Sequence, residues 1–350
     1  MTYPSFHLLT FDYPPRVGGA ARYHGAVADA LGGDGCTVEV CNPTVRWTTL
    51  IPKALRLDPR THLIVGEILP LGTVAWTRAR TFRGAYSVIC HGLDLANALR
   101  TPRKRWLAAR ILRGATRVIV NSAATAGLAR RVGASSEQVV IVSPPLGPIA
   151  SRAGIARSAA RDALGVGDVP LVLSVGRLIP RKGMESLIDA MVRVRQHVPR
   201  AHLTIVGSGP LAQTLVAHAE RVRVPCVVTT ADDAALAQWY AAADVFAMLP
   251  EERADGDIEG FGIVYIEAGA FGLPVVGTQS GGVPDAVVHG TTGLLVAPGD
   301  PLAAAQAITS LLEDHHRARA LGTVGCTRAL SQFGPRAFAA SLRAALSVVL

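Results

Sequence analysis

Lysine is nearly missing from this sequence: of 35 basic residues, only Lys53, Lys104 and Lys182 are lysines. Where a single lysine stands in a chain so biased toward arginine, a compact point charge is wanted there. Cysteine is also scarce. The five residues (Cys36, Cys41, Cys90, Cys226, Cys326) are odd in number and scattered, with no Cys-x-x-Cys. That argues against a disulfide framework or a zinc site and for a reducing, cytoplasmic setting. No apolar run reaches the roughly 18 residues that span a bilayer, and the N-terminus has no basic leader, so it reads as a first strand and not a signal peptide. Charged residues make up 17% and apolar ones 49%, which excludes disorder and fits a well-buried α/β protein. No short repeat or low-complexity tract appears.

At 350 residues the chain is comfortable for two domains. Short apolar runs alternate with helical patterns. Strands are expected at 6–11, 37–41, 62–65, 86–90, 117–121 and 139–142, and helices at 21–31, 106–113 and 123–132. A stretch rich in Pro, Gly and Ala, 143–157, reads as a linker. The second half repeats the logic with strands at 171–175, 202–206, 226–228, 245–248, 275–277 and 293–296, and helices at 184–197 and 234–243. The end, 336–350, reads as an Ala-rich amphipathic helix. Such alternation predicts an α/β fold of two Rossmann-like, doubly wound domains, with ligands expected in a cleft at the carboxyl ends of the strands.

The positive charge is unevenly placed. Residues 1–150 carry 18 Lys and Arg against 8 Asp and Glu, whereas residues 151–350 carry 17 against 18. A basic first half attracts phosphates or an anionic membrane surface, and Arg100–Trp106 is its densest stretch, readable equally as a solvated basic loop and helix start. No helix-turn-helix, zinc-finger or aromatic RNA-binding signature accompanies the charge, so no nucleic-acid partner is expected.

The richest stretch is Glu259-Gly-Phe-Gly-Ile-Val-Tyr-Ile-Glu267. Gly260, Phe261 and Gly262 form a turn before a small apolar helix. Its N–H groups, Ile263 among them, are placed for an anion, and Glu259 and Glu267 can accept hydrogen bonds from hydroxyls at two depths of one crevice. Phosphate and hydroxyl recognition together suit a nucleotide sugar. Arg177 and Lys182 follow a strand, flanked by Gly176 and Gly183, where two cations can neutralise a pyrophosphate. Gly18-Gly19 opens the first helix, with Arg16 and Arg22 beside it as candidates for an anionic acceptor. His91 follows the strand 86–90 and opens His-Gly-Leu-Asp94. A lone His there is more often structural than functional. Asn121-Ser122 reads as a helix N-cap. The acidic run Glu251, Glu252, Asp255, Asp257 reads as a solvated loop, since ion-binding loop spacing is absent.

These motifs resemble those of the GT4 family of retaining glycosyltransferases. The resemblance rests on Glu-x7-Glu with Gly-Phe-Gly inside, Val175–Gly183, Leu203–Pro210 (with Gly209 in its turn), Ala241–Met248, Gly281–Pro284 and Gly290–Val296, in the family's order. It is strongest from about 170 to 297. It implies the GT-B fold: an acceptor-binding domain at 1–150, a nucleotide-sugar domain at 151–333, and a terminal helix at 334–350 crossing back to the first. It implies transfer from a nucleotide-diphosphate sugar to an acceptor hydroxyl, with Arg177 and Lys182 on the diphosphate, Glu259 on the donor sugar, Glu267 on the ribose and His91 near the sugar. The glycines 18, 19, 176, 209, 260 and 262 then line the donor, and Asp94 joins Arg16 and Arg22 on the acceptor side. No metal or other cofactor is expected, and no Asp-x-Asp motif appears. The stretch Asp257–Tyr265 is most similar to phosphatidylinositol mannosyltransferase-type members, which use GDP-mannose. Thr229–Asp232, near the base, departs from the usual Gly-containing pattern and leaves GDP- and UDP-sugars open. The acceptor stays open between a small metabolite and an anionic lipid, the latter with peripheral contact at the inner membrane face. A sugar-nucleotide epimerase and a catalytically silent binding protein remain as alternatives.

Overall fold

Strands whose residues are all buried need cover on both faces, which a parallel sheet between helical layers supplies. Phe6–Thr10, His62–Val65, Tyr86–Cys90 and Leu171–Val175 are buried along their whole length. The computed structural model describes residues 5–16, 18–32, 35–42, 46–82, 84–254 and 256–347. These divide into two compact units, one within Met1–Pro145, Ala254–Gly260 and Gly334–Leu350, the other within Leu146–Arg253 and Phe261–Phe333.

The first unit runs β1 (Phe6–Thr10), α1 (Gly19–Leu31), β2 (Cys36–Val40), α2 (Leu50–Arg56), β3 (His62–Val65), α3 (Leu71–Phe82), β4 (Tyr86–Cys90), α4 (Leu93–Leu99), α5 (Pro102–Gly114), β5 (Arg117–Val120), α6 (Ala123–Val132) and β6 (Val139–Ile141). All six strands are parallel, in the order β2-β1-β3-β4-β5-β6. Side chains alternate across the sheet with the strand's period of two. Leu9, Leu63, Val65, Val88 and Val118 join the core on one face, with Ile111 and Leu112 of α5. Leu8, Ile64, Ile89 and Ile119 join the core on the other, with Tyr23 and Val27 of α1.

The second unit runs α7 (Arg157–Leu164), β7 (Leu171–Val175), α8 (Met184–His197), β8 (His202–Val206), α9 (Ala212–Arg221), β9 (Cys226–Thr229), α10 (Asp233–Ala242), β10 (Val245–Ala247), α11 (Ile263–Ala270), β11 (Val275–Thr278), α12 (Val283–Ala286), β12 (Gly293–Val296), α13 (Pro301–Glu313) and α14 (His315–Gln332). Its six strands are also parallel, in the order β12-β11-β10-β7-β8-β9. Arg161 anchors α7, donating to the Ala242 carbonyl at 3.0 Å and to Asp244 at 2.7 Å.

The last helix, α15 (Pro335–Leu346), belongs to the first unit. Phe338, Leu342, Ala345 and Leu346 are buried on its face toward α1 and the sheet, at helical spacing. Arg343 donates to the Ala30 carbonyl at 3.0 Å and Arg117 to the Ala345 carbonyl at 3.1 Å. The helix ends earlier than the expected 350, and 348–350 lie outside the described residues.

Three expectations need correction. The stretch 143–157 is not a free linker: Leu146 and Ile149 are buried in the second core, and Pro148–Arg152 forms a 3-10 turn. The division accordingly falls after Pro145 and not at 150. Residues 254–260, including Glu259 and Gly260, fall within the expected second domain, yet they group with the first unit. The reason is close approach: a side-chain carbon on Gly260 would come within 2.6 Å of the His91 carbonyl and 2.9 Å of Asn121 Nδ2.

Candidate functional site

The expected residues fall into two clusters, one at the carboxyl strand ends of each unit. In the second unit, β7 runs out into Gly176 and Arg177, and the backbone is fixed by Gly176 N–H on the Val206 carbonyl (3.0 Å) and Leu178 N–H on Ser208 (2.9 Å). Gly209 lies in the turn after β8 and approaches the backbone of Leu178. A 3-10 turn, Pro180–Lys182, then leads into α8 through Gly183, which has φ +63°. Only glycine fits here, because a side chain at 183 would collide with the Leu249 carbonyl. This crowding brings the lysine stem against the strand end, where a side-chain carbon on Gly176 would sit 3.6 Å from Lys182 Cε. Arg177 is exposed, whereas Arg181 and Lys182 are each only 8% exposed. Arg181, which the sequence reading passed over, is thus as deeply set as Lys182.

Gly262 caps α11, with Phe261 buried edge-on against Phe333 and Ile263 half-buried at the first turn. The first N–H groups of a helix have no partner within it, so this end offers donors to an anion. Tyr265 pins α11 to β10 by donating to the Met248 carbonyl at 2.6 Å. Glu267 is 1% exposed and accepts the Tyr240 hydroxyl at 3.1 Å, and the Tyr240 ring stacks on Phe271 with centroids 5.2 Å apart. Tyr240 was not foreseen; the only trace in the sequence is its place just before β10. The acidic run is less solvated than expected, because Glu251 accepts from Ser186 Oγ at 2.5 Å and its own N–H donates to the Arg181 carbonyl at 3.0 Å. Asp255 lies outside the described residues. Asp232, at the end of the segment expected near the base, caps α10, accepting from Ala235 N–H at 2.8 Å.

In the first unit, His91 leaves β4 and its backbone N–H donates to Asp94 Oδ1 at 3.1 Å, as does Gly92 N–H at 3.0 Å. Asp94 therefore has a local duty at the start of α4, while its Oδ2 is buried without a hydrogen-bond partner among the described residues. Burial raises the Asp94 pKa above the ordinary carboxylate value. Glu259 is 7% exposed, and Gly260 beside it touches His91 and Asn121. Ser122 caps α6 as expected, accepting from Thr125 N–H at 3.1 Å. Gly18 caps α1, whose Gly19 is exposed, and Arg22 N–H donates to the Gly18 carbonyl at 3.1 Å. Arg16 is drawn back onto the chain, donating to the Phe11 carbonyl at 2.8 Å with Asp12 at 3.6 Å.

Two residues here escaped the sequence reading. His24 of α1 sits 3.0 Å, Nε2 to Nε2, from His91. Glu67, just past β3, has its pKa raised to about 7 by burial first and then by the charges of Asp12 and Asp94. Among the described residues no group of three or more His, Cys, Asp or Glu is placed to hold a metal ion, and no helix is long and apolar enough to cross a membrane.

Residues 157–325 match the family described as "Glycosyl transferases group 1", and residues 7–145 match "Glycosyl transferase 4-like domain". A GDP-mannose-dependent alpha-(1-6)-phosphatidylinositol monomannoside mannosyltransferase of Mycobacterium tuberculosis is 31% identical over 364 residues, covering 91% of each chain. The protein of the same description from Mycolicibacterium smegmatis is 43% identical over 196 residues, which span 55% of this chain and 51% of that one. Among solved structures, Anabaena Alr3699/HepE in complex with UDP superposes with a TM-score of 0.84 at 21% identity, covering 98% of this chain and 100% of that one.

Proposed function

Because the chain belongs to the group 1 glycosyltransferases, we propose that it moves a mannosyl group from GDP-mannose to a hydroxyl of an inositol-containing anionic lipid, with retention at the anomeric carbon. It is a glycosyltransferase of GT-B fold; donor, acceptor and stereochemistry are the proposal. The observation that carries it is the likeness to the M. tuberculosis mannosyltransferase, which runs over 91% of both chains.

In this reading the bond from the sugar C1 to the diphosphate breaks as the bond to the acceptor oxygen forms. The acceptor proton passes to the departing phosphate oxygen on the same face, and GDP leaves. Arg177, Lys182 and the first N–H groups of α11 stabilise the charge that builds on the diphosphate; loss of one such preorganised donor typically lowers rate by about 10²–10³. Glu259 holds donor-sugar hydroxyls, Glu267 the ribose, and His91 the transferring sugar. Gly18, Gly19, Gly176, Gly209 and Gly260 let backbone approach the donor. Asp94, with one oxygen left over from its capping duty, takes an acceptor hydroxyl. No metal enters this scheme.

A lipid acceptor is favoured over a small soluble one by the first turn of α5. Arg103, Lys104 and Arg105 are exposed there with no acidic residue to balance them. Cations at a helix N-terminus oppose the helix dipole. Next to them Trp106 is 58% exposed, with the Arg110 guanidinium 4.6 Å over its ring. An exposed tryptophan within a cationic cluster suits the interface of an anionic membrane.

The test is calorimetry of the purified protein against GDP, UDP, dTDP and ADP, followed by transfer from GDP-[14C]mannose to phosphatidylinositol mannoside in vesicles. GDP binding that weakens in Lys182→Ala, with label entering the lipid, is expected. Selective binding of UDP overturns the donor assignment; GDP binding with label entering only soluble acceptors overturns the lipid.

A further inference from the structure

Half-buried His91 is paired with the fully buried His24, and the hydrogen bonds around His24 bear on which nitrogen of His91 carries the proton. His24 Nδ1 lies 2.8 Å from the Asp12 backbone carbonyl and 2.9 Å from Thr10 Oγ1. A carbonyl oxygen can only accept, so Nδ1 of His24 must hold a proton. Thr10 is already committed, accepting the Asp12 N–H at 3.1 Å and facing the Asp12 carbonyl at 3.2 Å. A side-chain carbon at Gly66 would meet His24 Cε1 at 2.6 Å, so the absence of one at that position is what admits the imidazole. Burial lowers the pKa of both rings, for His24 against the Asp12 charge and the Asp12 and Gly66 backbone carbonyls, which raise it, and for His91 together with the neighbouring His24, which lowers it further; both shifts favour the neutral forms. A neutral ring with its proton on Nδ1 has only a lone pair on Nε2.

From this geometry we infer that His24 is a positioning residue that accepts a hydrogen bond from His91 Nε2–H, and so fixes His91 in the tautomer whose Nδ1 carries the free lone pair. With His24 protonated on Nδ1, the 3.0 Å Nε2–Nε2 contact is a hydrogen bond between neutral rings only if His91 Nε2 carries the donated proton. The ring plane is fixed too: Tyr23 stands edge-on to His91 with centroids 5.2 Å apart, and Tyr23 is itself held by donating to the Val142 carbonyl at 2.9 Å and by Phe338 of α15. The ionisable groups against this pair are Asp12 past β1, Tyr23 on α1 and Asp94 on α4. The arrangement matches the general pattern in which a third group orients a working histidine. That His91 acts on the sugar rests on the function proposed above; the tautomer does not.

Two substitutions separate positioning from mere support. The amide of His24→Asn falls near Nδ1 and keeps the bond to the Asp12 carbonyl, but it no longer reaches His91. The amide oxygen of His24→Gln falls near Nε2 and still accepts from His91. Protein labelled with 15N-histidine, with His91→Gln to assign the signal, reads the tautomer at pH 7 directly. Wild type and His24→Gln are expected to show His91 protonated on Nε2 alone. His24→Asn is expected to show averaged nitrogen shifts and a kcat at least about tenfold lower at little-changed KM, with His24→Gln within a few-fold of wild type. A His91 protonated on Nδ1 in wild type overturns the inference, and so does a tautomer unmoved in His24→Asn. Should the tautomer behave as stated while no mannosyl transfer is found, the proposed reaction fails and the positioning stands.

Discussion

Replacing Glu67 by glutamine is expected to stabilise the first unit at alkaline pH and to leave it unchanged in acid. Glu67 follows Gly66 at the end of β3, half-buried, in a neighbourhood where Asp12 and Asp94 carry the same charge. Burial and these two carboxylates raise its pKa from 4.5 to about 7. Between those values the carboxyl is protonated in the fold and ionised in the unfolded chain. Folding therefore takes up a proton in that window, stability falls as pH rises through it, and the full penalty is present above about pH 7. At ~1.4 kcal/mol per pKa unit the penalty comes to ~3 kcal/mol. Solvent screening of a partly exposed group brings it nearer ~1–2 kcal/mol.

Glutamine has the shape of the protonated acid and no charge at any pH. Thermal unfolding of wild type and Glu67→Gln, followed from pH 4.5 to 8.5, is the assay. For a unit of this size ~1 kcal/mol moves Tm by roughly 2–4 °C. The variant should therefore match wild type at pH 4.5 and unfold about 2–8 °C higher at pH 8, with the gap opening between pH 5 and 7. A variant equal to or less stable than wild type at pH 8 would show that Glu67 is ionised at no cost. The electrostatic reading of this strand-end cluster would then be wrong.

Three further outcomes follow from the geometry. Gly183→Ala places a side chain on the Leu249 carbonyl at φ +63° and should cost at least ~2 kcal/mol, measured by denaturant unfolding, with GDP affinity falling because Lys182 is displaced alongside. Tyr240→Phe removes the hydroxyl that donates to Glu267 at 3.1 Å and should destabilise the second unit by ~0.5–1.5 kcal/mol, the net range for an intramolecular hydrogen bond; an unchanged Tm would mean that this bond contributes nothing net. Replacing Arg103, Lys104 and Arg105 by alanine, or Trp106 by serine, should weaken co-sedimentation with anionic vesicles by about tenfold or more while leaving the unfolding midpoint within ~1 °C, since all four side chains are exposed.

What the sequence disclosed and what it hid follow one physical division. β3, β4, β7, β8 and β12 have the bounds that their apolar runs predict, because a strand buried on both faces writes its burial into consecutive residues. Two of the candidate site motifs are legible for a similar reason: Gly176 to Gly183 and Glu259 to Glu267 are short, local segments, and their glycines mark where backbone must approach closely. α14 gave no such signal, since its buried face is made of Ala318, Leu321, Gly322, Gly325 and Ala329, residues chosen for closeness and not for hydrophobicity. Leu146 and Ile149 hide between prolines and glycine, so a packed segment reads as a linker. The cluster around His91 is the instructive case. His24 and His91 lie 67 positions apart, one on a helix and one after a strand, and neither carries a local pattern that names the other. What joins them is parallel strand order: β1 and β3 are neighbours, β3 and β4 are neighbours, and the residues just past their carboxyl ends, Asp12, Glu67 and His91, then lie at the same end of the sheet. A buried titratable group in a doubly wound domain is therefore best sought by aligning strand ends in sheet order, not in chain order. Applied to this chain, that procedure brings Glu67 and His91 together before any side chain is placed.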